Sequence, residues 1–339
     1  MTAPATRTRP VGPWPDRPRY APREPACTAP RVDNAFPSGR AAILACLEVA
    51  GIGPDSGVAT PECVTGCLND AVRRRARPIP LRAAVDSSTQ PSAAIVYEQW
   101  GWPLPPEAEG LVCDRFAGVP VIIDRVDSAD FFSSSRTCGA FEVLSLSKVL
   151  GIDAGGIARR RLDGALLRFA PGVSSRRAPR ADHPRLLAHP AVRELFKQSE
   201  FVHPSAIRWL ADNCAITALE AERQARSTVA RLILDSELSA GWPTWMPQAI
   251  ESGAGPVWAP VLRGRDPDLH RRAIISLERS LGIRAAVRMF NWSGNPLEPR
   301  YEPSIALPIH SGVDHPAEVV FVLECPGGCA RFFDKRRPV

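Results

Sequence analysis

Apolar positions recur along this chain at two spacings. Ile43, Leu44, Leu47 and Ala50 follow a helical repeat, entered at Ser38-Gly39-Arg40 and stopped by Gly51 and Gly53. Short apolar runs then alternate with helical stretches. Runs at 57–60, 93–97, 119–124, 142–145 and 156–159 predict strands, and 63–75 and 207–233 predict helices. Val121-Ile122-Ile123 would be apolar on both faces of a strand, which fits a parallel sheet covered by helices. Ligands gather at the carboxyl ends of such strands, and Asp124, Ser145 and Lys148 fall there.

The pattern changes near residue 239. Gly241-Trp242-Pro243 and Gly253-Ala254-Gly255-Pro256 are breakers. Beyond them a strand at 257–262, a helix at 268–281, a strand at 285–290 and a last helix at 316–323 predict a compact α+β unit. Residues 1–33 are rich in Pro, Arg, Ala and Thr and carry no periodicity, as expected of an arm lying over a partner or free of one. The expected organisation is this arm, a large α/β domain over 34–238 with a mostly parallel mixed sheet flanked by helices, and a smaller α+β domain over 239–339.

Composition narrows the function classes. A 45% hydrophobic content supports a large core, and the formal charge of +6 is mild for 339 residues. Basic runs such as Arg73-Arg74-Arg75 and Arg159-Arg160-Arg161 read as solvated faces, and aromatics do not alternate with them, so no nucleic-acid partner is expected. No apolar run reaches the length of a membrane span, and the N-terminus has no hydrophobic signal segment, so neither a membrane nor export is expected. Nine cysteines without framework spacing point to a reducing cytoplasm. Cys63 and Cys67, like Cys325 and Cys329, stand four apart, but no further ligands at zinc spacing lie near, so no metal is expected and the thiols read as buried and inert.

Lysine usage changes the picture. The chain has three lysines, Lys148, Lys197 and Lys335, and takes its other positive charges from arginine. Lys148 closes Ser145-Leu146-Ser147-Lys148, directly after an apolar run and before a glycine-containing stretch from Gly151 to Gly156. An amine can lose its proton, attack a carbonyl and form an imine, which a guanidinium cannot do. Taken singly, Asp124 reads as a turn residue or N-cap, Ser38-Gly39 as a turn, and Asp127 and Glu98 as solvated polar groups, while a surface strand-end lysine is the lesser alternative for Lys148.

Three pieces in order give these residues a joint meaning: Ser38-Gly39-Arg40-Ala41 at a helix start, Asp124 closing a strand, and Ser145-Leu146-Ser147-Lys148 closing another. With Gly51-Ile52-Gly53-Pro54 and Ala306-Leu307-Pro308-Ile309-His310, they resemble the DegT/DnrJ/EryC1/StrS aminotransferases, pyridoxal-phosphate enzymes of fold type I, over about residues 36–325. The resemblance implies pyridoxal 5'-phosphate as cofactor, a small-molecule amino donor, a keto or aldehyde acceptor of sugar or natural-product type, and a homodimer. Lys148 would be the covalent anchor and proton carrier, with its pKa depressed by burial and the cofactor. Asp124 would face the pyridine nitrogen, and Val126 would pack on the ring. Ser38, Gly39, Arg40 and Ser145 would hold the phosphate, the helix start supplying free N–H groups. Glu98, Arg288, Asn291 and Trp292 are candidates for the substrate side, with Arg288 suited to clamp a carboxylate. Core packing is the alternative for Phe290 and Trp292, and a surface salt bridge for Arg288.

The chain also departs from the family pattern. Asp127 stands where the family has a glutamine near the cofactor's phenolic oxygen. Glu98 starts a strand-end motif that usually starts with His. Glu62-Cys63-Val64-Thr65 offers no aromatic to cover the ring, and the 24-residue interval from Asp124 to Lys148 is short. These changes leave open a different reaction on the same cofactor, such as decarboxylation, elimination, epimerisation or carbon–carbon bond formation. They also leave open a non-catalytic binding member of the fold. A dinucleotide-binding Rossmann protein is disfavoured, because no Gly-x-Gly-x-x-Gly follows the first strand.

Overall fold

The computed structural model describes residues 11, 34–63, 66–87, 90–130, 139–152, 155–168, 210, 215–264, 266–313 and 316–324. The expected arm falls outside them except for Val11, as do Cys325, Cys329 and most of 207–214. No helix among the described residues is long and apolar enough to cross a membrane.

The first half alternates helices and strands. Helix α1 (Gly39–Val49) is capped by Ser38, whose hydroxyl accepts from Ala41 N at 3.2 Å, and it buries Ala42, Ile43, Cys46 and Leu47. Strand β1 (Gly57–Thr60), helix α2 (Gly66–Arg73), strand β2 (Arg77–Pro80), helix α3 (Leu81–Asp86) and strand β3 (Ala93–Tyr97) follow. After a tight turn at Gln99–Gly101 come helix α4 (Pro106–Arg115), strand β4 (Val121–Asp124), strand β5 (Phe141–Ser145), the short helix α5 (Leu146–Val149) and strand β6 (Gly156–Arg160). The six strands form one sheet in the order β2-β1-β3-β4-β5-β6, parallel except for β6, which runs antiparallel to β5. Every residue of β4 and β5 is buried, as strands covered on both faces must be.

The second half begins with the long helix α6 (Ala215–Leu234), then α7 (Trp245–Glu251), strand β7 (Trp258–Val261) and helix α8 (Pro267–Leu281). Asp266 caps α8 and Gly282 ends it in the left-handed conformation. Strands β8 (Ala286–Asn291) and β9 (Tyr301–Pro308) complete an antiparallel sheet, β7-β9-β8, and helix α9 (Pro316–Glu324) packs beside α8. Strands β2 and β9 and helices α3, α4 and α7 were not expected from the pattern. Helix α2 is shorter than expected, because the chain turns at Arg74 and Arg75 to enter β2. Aromatic packing joins the two sheets. Trp100 and Trp102, beyond the end of β3, sit in the same core as Phe290, Trp242, Trp245 and Trp258, with the Trp100 and Phe290 rings 4.9 Å apart.

One close approach fixes the start of α1 against the large sheet. Phe36 bridges Gly156, and a side-chain carbon built on Gly156 would lie 2.3 Å from Ser38 O and 2.7 Å from Gly39 N. Gly156→Ala therefore pushes the α1 start off β6, and thermal unfolding should register a loss of roughly 1–3 kcal/mol. An unchanged melting temperature would show that the contact yields freely.

Candidate functional site

The carboxyl ends of β3, β4 and β5 and the start of α1 meet in one place. At the α1 start, Ala41 N bonds the Ser38 hydroxyl and Ala42 N bonds Ser38 O. The N–H groups of Gly39 and Arg40 make no bond among the described residues, so they remain open to an anion. A side-chain carbon on Gly39 would sit 2.9 Å from Val126 Cγ1 and 3.5 Å from Ser145 Cβ. Only glycine lets the backbone approach both residues, so the absent side chain keeps a cradle open. The Ser145 hydroxyl lies at its edge, 3.0 Å from that of Ser147. Arg40 is half-buried in the first turn of α1. The structure thus brings Ser38, Gly39, Arg40, Val126 and Ser145 to one edge of the sheet.

Three charged groups adjoin this cradle. Asp124 ends β4, is 5% exposed, and accepts from Val126 N through Oδ1 at 3.2 Å, while nothing among the described residues bonds its Oδ2. Burial pushes its carboxyl up to about 7; Lys148 and the Val126 N–H draw it back, and Asp127 adds to the rise. Lys148 follows β5 on α5 with its side chain one-third exposed, and its Nζ lies 3.1 Å from Asp127 Oδ1. Burial pulls the Lys148 ammonium down, but Asp127 and then Asp124 outweigh it, so the pKa stands above the ordinary lysine value. Without the cofactor, then, the amine is not depressed: two carboxylates face it, and only burial works against them.

Asp127 and Glu98 are not solvated. Asp127 is 2% exposed and its Oδ2 accepts from the Tyr97 hydroxyl. Glu98 is fully buried and its carboxylate accepts from Arg125 Nε at 2.9 Å, in a charge network with Glu142, Arg159 and Arg161. That pairing, not a substrate, occupies the Glu98 side chain. The end of β8 reaches the turn after β3, where Asn291 N donates to Gln99 Oε1 at 2.8 Å. Arg288 is exposed on β8. Asn291 orders a turn, its side chain bonding Asn295 O, Ser293 and Arg300 N. Trp292 packs against Phe290 and donates Nε1–H to Ser304. The thiols of Cys63 and Cys67 are exposed, contrary to expectation, because α2 turns Leu68, Ala71 and Val72 inward instead. His310 does begin a turn, its Nδ1 accepting from Gly312 N.

Sequence reasoning missed two residues that hold this arrangement. Tyr97 read only as a strand end. Arg226, inside α6, is fully buried and donates to Glu222 at 2.8 Å, to Asp127 O at 3.1 Å and to Val149 O at 3.2 Å, with Lys148 O at 3.5 Å. An arginine at helical spacing from a glutamate gives the one sequence signal, a pairing that is common on exposed helices.

The residues fit the phosphate, the protonated ring nitrogen and the aldehyde of pyridoxal phosphate: open N–H groups and a glycine cradle, a buried carboxylate with an unbonded oxygen, and one amine. No protein-family profile matches the chain, and no curated protein matches it by sequence. Solved structures do match. A DegT DnrJ EryC1 StrS aminotransferase from Brucella abortus is 16% identical, with 86% of this chain and 84% of that chain covered and a TM-score of 0.53. DesV of S. venezuelae, solved in complex with a ketimine intermediate, is 16% identical over 90% of this chain and 85% of its own, with a TM-score of 0.52. NtdA from Bacillus subtilis, solved with bound cofactor PMP, is 13% identical over 85% and 72%, with a TM-score of 0.52.

Two predictions come from this geometry. In the cofactor-free protein Asp124 keeps its proton up to about pH 7, whereas the unfolded chain releases it near 3.8. Between those values the folded state holds the extra proton, so the Asp124 contribution falls as pH rises. Urea melts across that window should show the decline, and Asp124→Asn should flatten it. Arg226→Met leaves Glu222 buried without its cation and should cost about 3–5 kcal/mol by the same melts. The comparisons and the geometry close on one statement: the chain has the fold of the DegT/DnrJ/EryC1/StrS aminotransferases.

Proposed function

We propose that this protein is a pyridoxal-phosphate-dependent aminotransferase that moves an amino group from a small donor to a keto or aldehyde intermediate of a sugar or natural-product pathway. The observation that carries the reading is the convergence of Lys148, Asp124 and the α1 start on one edge of a sheet with this fold. When bound, the cofactor supplies an aldehyde and an electron-withdrawing ring that stabilises negative charge on a substrate carbon. Gly39 N–H, Arg40 N–H and the Ser145 hydroxyl would hold its phosphate. Asp124 Oδ2 would face the ring nitrogen, and Val126 would pack on the ring. Lys148 Nζ would be the covalent anchor and proton carrier, with Asp127 Oδ1 3.1 Å from it as counter-charge.

The homodimer remains part of this reading on the strength of the family resemblance, and so does a division into a large domain over 34–238 and a small one over 239–339. A cytoplasmic setting rests on the cysteine pattern.

A second reading keeps the cofactor and changes the reaction to decarboxylation, elimination, epimerisation or carbon–carbon bond formation. The departures from the family pattern at Asp127, Glu98 and Thr65 motivate it.

Absorption spectra decide between these. Protein given pyridoxal phosphate should gain a band that borohydride removes, and Lys148→Ala should lack it. An amino donor alone should convert a transaminase's cofactor to the pyridoxamine form. A band without that conversion favours the second reading, and a protein that takes up no cofactor defeats both.

A further inference from the structure

Tyr97 ends β3 with its hydroxyl between two partners. It donates its hydrogen to Asp127 Oδ2 and accepts from Trp100 N at 3.2 Å. Trp100 holds a left-handed backbone, φ 60°, which a bulky residue adopts only where its surroundings demand it. Its ring is locked in the core between the sheets, so the N–H that it offers to Tyr97 has a fixed direction. On the other side, Asp127 is held by its backbone: its carbonyl accepts from Arg226, and its side chain is closed off from water. Asp127 Oδ1 then faces Lys148 Nζ at 3.1 Å. The order is Trp100 N–H, Tyr97 O–H, Asp127 carboxylate, Lys148 ammonium.

We propose that Tyr97 is a positioning residue of the lysine site: by engaging one oxygen of Asp127 it holds the other beside Lys148 Nζ, giving the ammonium a fixed counter-charge. The inference rests on the aminotransferase reading for its use but not for its test. The carboxylate so held favours the ammonium form of Lys148 in the cofactor-free protein, which agrees with the raised pKa of the amine. Tyr97 keeps its own hydrogen throughout, since burial first and the Asp127 charge second hold its pKa well above that of an ordinary phenol. Without Tyr97 the carboxylate would lose the hydrogen bond to its Oδ2, and Lys148 would lose the fixed place of its counter-charge.

Lys148 faces Asp127 and Asp124 from the end of β4, Cys67 from α2, and Tyr97 through Asp127, while Arg226 of α6 bonds its backbone carbonyl. The sequence makes its titration readable, because the chain has only three lysines. Cofactor-free protein labelled with carbon-13 at lysine Cε gives three signals, and Lys148→Arg identifies one of them. In Tyr97→Phe, which keeps the ring and removes one oxygen, the Lys148 midpoint should fall by about one pH unit, and in Asp127→Asn by at least as much. The unaltered protein labelled at tyrosine Cζ gives a second reading, in which the Tyr97 signal should move at the Lys148 midpoint. A Lys148 midpoint equal in the unaltered protein and Tyr97→Phe overturns the proposal. So does a Tyr97 signal that ignores Lys148, which also decides the matter if Tyr97→Phe does not fold. Cofactor uptake is read separately by absorbance. A protein that shows these titrations but takes up no pyridoxal phosphate would refute the function and leave the role of Tyr97 standing.

Discussion

A single buried guanidinium fixes the geometry on which the site depends. Arg226 reaches from α6 to the carbonyls of Asp127 and Val149, with Lys148 O at the limit of contact, so one rigid fork spans the segments that follow β4 and β5, a turn and the short helix α5. Those segments carry the acid and the amine. The charge of Arg226 is balanced on its own helix by Glu222, whose Oε1 also takes the backbone N–H of Ser311 after β9. The same pair therefore ties the large sheet's active edge to the smaller sheet. A guanidinium is suited to this because it offers five donors in a fixed plane, whereas an ammonium would serve fewer carbonyls. Burying a carbonyl without a donor costs about 1–3 kcal/mol, so the fork also removes a penalty that these carbonyls would otherwise carry.

The departures from the family pattern answer one another in the structure. Glu98 stands where the family has a histidine, and beside it lies Arg125, with both side chains fully buried. Either charge alone would be expensive in that place, and the two together form part of a network reaching Glu142 and Arg159. Asp127 stands where the family has glutamine. Its carboxylate is answered twice, by Tyr97 on one oxygen and Lys148 on the other. Each unusual acid thus has a donor or a cation held against it.

The periodic pattern was informative where strands are buried on both faces and where helices are long. Strands β1, β3, β4, β5 and β6 lie where short apolar runs placed them, and α1 starts at the serine that the capping rule picks out. Strand β2 was hidden because Arg77-Pro78-Ile79-Pro80 carries two prolines, tolerated there because β2 is the outermost strand in the sheet order. Pro303 and Pro308 disguised β9, which is central to the smaller sheet. Helix α4 carried its signals, Pro106 at the start and Glu107 and Glu109 in the first turn, but buries only Ala108 and Val112 and so shows little apolar stripe. In the site, Lys148, Asp124, Gly39 and Ser145 could be found from motif order, since each has a fixed place in it. Tyr97 and Arg226 could not, because their roles arise from distant partners, 30 residues away for Tyr97 and 99 for Arg226. Arg288, Asn291 and Trp292 were placed near the site by the family resemblance; within one chain Arg288 is exposed, while Asn291 and Trp292 are engaged by tertiary packing.

The electrostatics of the site restrict what it can hold. Asp124 and Asp127 flank one lysine, and the balance is one positive charge against two potential negatives. Asp124 gives way, its pKa rising to about 7 because it is buried and the lysine is already engaged by Asp127. A ligand that brings a cationic N–H to Asp124 Oδ2 supplies the missing charge and lets that carboxyl ionise. A neutral ring in the same place leaves the carboxyl protonated and gains no ion pair. The open N–H groups of Gly39 and Arg40 place the opposite demand on the far end of the ligand, where they favour an anion. A molecule that is cationic at one end and anionic at the other, with a carbonyl between them within reach of Lys148, meets all three requirements at once.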